Sequence, residues 1–159
     1  MLEGKHILVG ISGGIAAYKI PELIRLLRKA GAEVRVATTK NALEFVTELT
    51  LQTLSGYKVY SDVFAAINEH STEHISLPDW ADLMVVTPAT ANVLGKMANG
   101  IADDALTTTF CAMRKPVVIA PAMNDKMYQC PATQEAMKRL SGWGNITMLD
   151  CAEGELACG

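Results

Sequence analysis

The run Pro121-Ala122-Met123-Asn124 follows the apolar segment Pro116-Val117-Val118-Ile119-Ala120 and carries one amide side chain to the end of a strand. Ligands in open α/β sheets gather beyond the carboxyl ends of the strands. An uncharged group that both donates and accepts hydrogen bonds suits that place, which makes Asn124 the first candidate binding residue. Pro and Asn also build turns for purely local reasons. The motif gains weight from comparable loops elsewhere in the chain.

Behind the first apolar run stands Gly10-Ile11-Ser12-Gly13-Gly14-Ile15-Ala16-Ala17-Tyr18-Lys19. Small residues there let backbone N–H groups at a helix start approach an anion, and the helix dipole favours a phosphate. The stretch matches neither the dinucleotide G-x-G-x-x-G pattern nor a P-loop. A phosphate cradle and a plain tight strand-to-helix connection are both open at this point. A third loop, Thr87-Pro88-Ala89-Thr90-Ala91-Asn92-Val93, sets hydroxyl and amide groups at another helix start. Helix capping accounts for Thr90 but not for Asn92. At the end of the second strand, where a dinucleotide fold places an acid for the adenine ribose, the residues are Thr38-Thr39-Lys40. Glu33 has the right separation from the glycines, but it begins that strand and belongs at the opposite edge. Hydroxyls with a single phosphate cradle suit a mononucleotide such as FMN better than NAD.

These loops need strands to carry them. The patterning predicts strands at 6–11, 33–38, 82–86, 117–120 and 146–149, with a further edge strand at 58–60. Helices are expected at 15–30, bent or restarted by Pro21, at 50–54 after helical turns through Phe45, and at 91–98, 104–113 and 133–140. The continuous apolar run Asp82-Leu83-Met84-Val85-Val86 reads as a strand buried on both faces. Alternating strands and helices predict an α/β fold, a Rossmann-like doubly wound parallel sheet flanked by helices, with ligand loops after the first, third and fourth strong strands. No short-period repeat, low-complexity linker or composition shift marks a second domain.

The chain has 159 residues, 50% of them hydrophobic and 19% charged, with a formal net charge of -3. That size and composition give a single core burying roughly 70% of the unfolded surface. Scattered Lys and Arg form neither a nucleic-acid stripe nor a polybasic membrane patch, so the expected partner is a small molecule. The amino-terminal stretch is too short for a signal peptide or a membrane span before the first strand; a cytoplasmic location follows as an expectation. Cys111, Cys130, Cys151 and Cys158 show no metal-ligand spacing, so no metal site and no disulfide framework is expected. Cys111 reads as a buried packing residue of a helix. Cys158 sits in the glycine-flanked Gly154-Glu155-Leu156-Ala157-Cys158-Gly159, a setting for an exposed, reactive thiol.

Taken in order, Gly10 to Lys19, Glu73-His74-Ile75-Ser76-Leu77, Pro88 to Val93, Pro121 to Asn124 and Ala157-Cys158-Gly159 resemble the flavin-containing cysteine decarboxylases, most closely those acting on phosphopantothenoylcysteine. The resemblance covers nearly the whole chain. Where some relatives have Pro-Ala-Ser-Ala-Asn-Thr, this chain has Thr90 and Val93, which keep one hydroxyl and lose the other. The resemblance implies FMN held by Ser12, Gly13, Gly14, Ile15, Thr38, Thr39, Pro88, Ala89, Thr90, Asn92 and Ala122, and substrate held by Met123 and Asn124. It implies that the cysteinyl thiol is oxidised to a thioaldehyde at the flavin, that the carboxylate then leaves as carbon dioxide, and that the remaining enethiol is reduced again. His74 is implied to position or deprotonate the substrate. Asn124 is implied to hold the carboxylate without a cation that would over-stabilise the ground state. Cys158 is implied to supply the final proton, a thiol of pKa about 8.5 being mostly protonated near neutrality.

The family further implies a homotrimer or a higher multiple of one, with flavin at the subunit interface. Residues 1–159 are expected to form one FMN-binding domain whose closing flap is shortened after Gly159, standing alone or fused to a phosphopantothenoylcysteine synthetase domain. Related alternatives are a lantibiotic-type peptidyl-cysteine decarboxylase, a flavin prenyltransferase and a non-catalytic regulatory relative. Asn124 and Cys158 argue against the prenyltransferase, and His74 and Cys158 against the regulatory relative.

Overall fold

The structure, a computed structural model, describes the backbone of residues 1–68 and 73–151 and the side chains of residues 1–65 and 76–151. Five strands, β1 (His6–Ile11), β2 (Glu33–Thr38), β3 (Leu83–Ala89), β4 (Val117–Pro121) and β5 (Ile146–Met148), form one sheet in the order β2-β1-β3-β4-β5. Every pairing is parallel. The predicted doubly wound parallel sheet is what the chain adopts. Parallel neighbours require crossovers, and eight α-helices supply them among the described residues: α1 (Ile20–Lys29), α2 (Glu48–Ser55), α3 (Val63–Asn68), α4 (Glu73–Trp80), α5 (Ala91–Ala98), α6 (Ala105–Ala112), α7 (Asp125–Gln129) and α8 (Pro131–Ser141). None is long and apolar enough to cross a membrane.

Strand alternation divides the core in two. Ile7, Val9, Ile11, Val34 and Val36 face Ile20 and Ile24 at α1 and Leu51 of α2. Leu8, Met84, Val86, Val117 and Ile119 face Leu77, Val93, Leu94, Leu106, Phe110 and Leu140 from α4, α5, α6 and α8. Met84, Met97 and Met113 are core residues, and Met123 packs against that core. The coverage is unequal. On the first face Val85, Thr87, Val118 and Ala120 are only half-buried, while their neighbours Met84, Val86, Val117 and Ile119 on the second are buried. The run 82–86 is thus apolar on both sides but fully covered on one within this chain.

Several local expectations change. The helix expected over 15–30 is a 3-10 turn, Ile15–Lys19, followed by α1 with Pro21 in its first turn, where the missing N–H costs nothing. Gly31 closes α1 with φ 101°, a backbone state that other residues resist. The strand at 58–60 reduces to one bridge between Tyr60 and Ala37. Helices α3, α4, with Pro78 inside it, and α7 have no counterpart among the expected helices. Cys111 is exposed, not buried, because α6 turns Leu106, Thr109 and Phe110 inward.

Candidate active site

The strand order reverses between β1 and β3: the chain leaves β1 toward β2 and later crosses back to β3. Doubly wound sheets of this order hold mononucleotides at that switch point. Here the β1–β3 ladder ends at Gly10 and Val86, and a cleft of about 610 Å³ opens beyond it. Cavities of roughly 300–1,000 Å³ accommodate cofactor-sized ligands.

Three loops form the walls. Ser12, Gly13, Gly14 and Ile15 come from the β1 loop, Thr90 and Asn92 from the start of α5, and Ala122, Met123 and Asn124 from the β4 loop. Thr39 lines the cleft from the end of β2. Of the remaining sequence candidates, Thr38 is buried with no partner for its Oγ1 among the described residues. Pro88 and Ala89 are buried within β3, and Thr87-Pro88 is a cis peptide. These three do not line the cleft. His74 lies in α4, with its side chain outside the described residues, as does the whole of Cys158.

Each loop is fixed by its own chemistry. A side chain at Gly13 would overlap Asn41 Cβ and meet the Asn41 carbonyl carbon at 3.0 Å, so the β1 loop packs tightly on the 3-10 turn Asn41–Glu44. Thr39 Oγ1 accepts the Ala42 N–H of that turn at 3.2 Å. Thr90 caps α5 by accepting the Val93 N–H at 3.2 Å, as expected from sequence. Ser12, 1% exposed, donates its hydroxyl to the Pro88 carbonyl at 2.5 Å and accepts the Thr90 N–H at 3.1 Å.

Asn124 is the N-cap of α7: its Oδ1 accepts the Met127 N–H at 2.9 Å. A cap requires an acceptor, so the backbone decides which end of the amide points inward. The Nδ2 donor has no partner among the described residues, and the side chain is exposed to the cleft. An N–H pair left open in a ligand cleft is suited to an acceptor such as a carboxylate. Nearby, Cys151 Sγ lies 3.5 Å from the Pro121 carbonyl. Burial, reinforced by Asp150, pushes that thiol up from its ordinary pKa, keeping it protonated.

Sequence reasoning missed the opposite rim. Asp62 caps α3 through the Phe64 and Ala65 N–H groups and brings Phe64, 75% exposed, to the cleft. Lys96 Nζ grips both oxygens of Asp103 at 2.9 and 3.0 Å. Asp104 forms a capping box with Thr107, a signal readable as Asp three residues before Thr at the head of an apolar run. Six-residue α3 gives no periodicity that would have exposed Phe64. No metal-ligand cluster occurs among the described residues.

The donor set fits a flavin mononucleotide. The Gly14 N–H is bonded to the Ser12 carbonyl at 2.9 Å, so the Gly13 and Ile15 N–H groups are the donors that the turn can offer an anion; hydroxyl and amide groups line the crevice, and no acid stands at the end of β2 to select an adenine ribose. This is the site of a mononucleotide-binding α/β protein. The chain belongs to the Flavoprotein family, whose profile matches residues 1–159. It is 50% identical over 159 residues to the coenzyme A biosynthesis bifunctional protein CoaBC of Bacillus subtilis (strain 168), covering 100% of this chain and 39% of that protein. The chain therefore spans about two fifths of that relative's length. A PPC decarboxylase mutant complexed with pantothenoylaminoethenethiol superposes with a TM-score of 0.84 at 34% identity, over 98% of this chain and 86% of that one. The FMN-dependent cysteine decarboxylase SpaF gives 0.82 at 34% identity, over 93% and 86%.

Proposed function

We propose that the chain is an FMN-dependent decarboxylase that converts phosphopantothenoylcysteine to phosphopantetheine in coenzyme A biosynthesis. The observation that carries the reading is the convergence of three loops on one switch-point cleft, with the Gly13 to Ile15 turn on one side and the open amide donor of Asn124 on the other. Similarity to CoaBC over the full chain supports the substrate class.

The Gly13 to Ile15 turn would hold the flavin phosphate, and Thr39, Thr90, Asn92 and Ala122 would line the rest of the cofactor. When bound, FMN supplies a reversible two-electron acceptor, without which loss of the cysteinyl carboxylate would leave an unstabilised carbanion. Asn124 Nδ2 orients the carboxylate by a neutral hydrogen bond, which weakens as charge leaves with carbon dioxide and so does not favour the ground state as a cation would. His74 handles the substrate proton in the oxidative half and Cys158 returns one in the reductive half. Met123 forms the apolar wall beside the cysteinyl group.

A cytoplasmic homotrimer, or a multiple of it, completes the reading. Its support is the half-covered apolar strip of Val85, Val118 and Ala120 on β3 and β4, a surface of the kind that a second copy buries. The bifunctional relative supports fusion to a synthetase domain. A peptide-tail substrate is the second reading; the match to the cysteine decarboxylase SpaF supports the cysteine decarboxylation that both readings share.

Mass spectrometry after incubating FMN-loaded protein with phosphopantothenoylcysteine tests the proposal. The wild type should give phosphopantetheine, and Cys158→Ser should stop at the decarboxylated, still oxidised product. Ordinary phosphopantetheine from Cys158→Ser at the wild-type rate would remove Cys158 from the mechanism. Turnover of a cysteine-ending peptide alone would transfer the reading to the second substrate class.

A further inference from the structure

We infer that Ser12 is a positioning residue, a latch that holds the two lips of the switch-point crevice at a set separation and does not itself hold the flavin phosphate. The inference rests on the flavin reading above. Pairing of β1 with β3 stops at Gly10 and Val86, and β3 then shifts register against β4 before Ala89 meets Pro121. Beyond that point the ladder no longer ties the lips together. Ser12 does so instead. Its N–H approaches the Pro88 carbonyl at 3.4 Å, its hydroxyl donates to the same carbonyl at 2.5 Å, and the Thr90 N–H donates to its oxygen at 3.1 Å.

A serine hydroxyl has one proton. Given to Pro88, it is not available to phosphate oxygens, which need donors. The side chain is also 1% exposed. Thr90, held by Ser12, caps α5 in turn, so the latch sets Asn92 and the α5 start against the Gly13 to Ile15 turn. Its effect on a ligand should therefore be geometric and independent of the phosphate.

Comparing FMN with riboflavin, which lacks the phosphate, tests this. Dissociation constants for both, from quenching of flavin fluorescence by apoprotein, are measured for wild type, Ser12→Ala and Ser12→Cys. The Cys variant is a near-isostere that keeps a weak donor. Loss of two hydrogen bonds at the crevice should weaken both flavins by about tenfold in Ser12→Ala, leaving their affinity ratio at the wild-type value, with Ser12→Cys recovering part of the loss. If Ser12→Ala fails to fold, the same comparison is read from Ser12→Cys. Weakening confined to FMN would make Ser12 a phosphate ligand and overturn the latch, as would unchanged affinities. Wild-type protein that bound neither flavin would overturn the flavin reading itself, and the latch with it.

Discussion

Asn124 divides its amide between two tasks: Oδ1 caps α7 and Nδ2 faces the cleft. The division can be separated by mutation. Asn124→Asp keeps a cap acceptor but replaces the donor by an oxygen that repels a carboxylate; thermal stability should stay near wild type while kcat/KM falls by at least about tenfold. Asn124→Ala should lose the same activity and in addition about 1 kcal/mol of stability through the lost cap. An Asp variant with wild-type turnover would falsify the donor role. The thiols offer a second residue-scale prediction. Cys130 stands at the N-cap position of α8 without a side-chain cap bond, and the nearby Thr133 and Ala132 N–H groups lower its pKa, whereas burial raises that of Cys151. A lower pKa gives more thiolate at a given pH, so peptide mapping after brief iodoacetamide treatment near neutrality should find Cys130 alkylated well before Cys151.

At the scale of elements, the cleft depends on how closely the β1 loop packs on the 3-10 turn Asn41–Glu44. Gly13→Ala should force those segments apart, since the added methyl meets Asn41 side chain and backbone. Overpacking of this kind costs about 1–3 kcal/mol, to be read as a lower urea midpoint together with reduced FMN retention. The elements legible in the sequence were those with strong local signals. Apolar runs marked β1, β3 and β4, Thr90 marked the start of α5, and the loops after these strands carried the site candidates. Helix α4 was hidden by its internal Pro78 and weak amphipathic pattern, and five-residue α7 is too short for a period, although its cap, Asn124, was recognised for other reasons. Thr38 shows the limit of reading by proximity: one position before Thr39, strand alternation turns it into the core while Thr39 reaches the cleft.

For the whole molecule, the unequal covering of the sheet is the dominant feature. A continuous apolar strand reads the same in sequence whether its second face is covered by its own helices or by another copy, which is why the half-buried strip on β3 and β4 was not foreseen. Under the trimer reading, Val118→Lys places a charge on that strip. Light scattering should show a fall from trimer mass to monomer mass with the far-UV spectrum retained, and an unchanged trimer would put the interface elsewhere.

The central claim is flavin-dependent removal of the cysteinyl carboxylate, and it is tested most directly with phosphopantothenoylcysteine carrying a carbon isotope label in that carboxyl group. Labelled carbon dioxide should be released by the FMN-loaded protein and fall to background when the flavin is removed. A folded, flavin-saturated protein that released no label, or an apoprotein that released it equally well, would contradict the account.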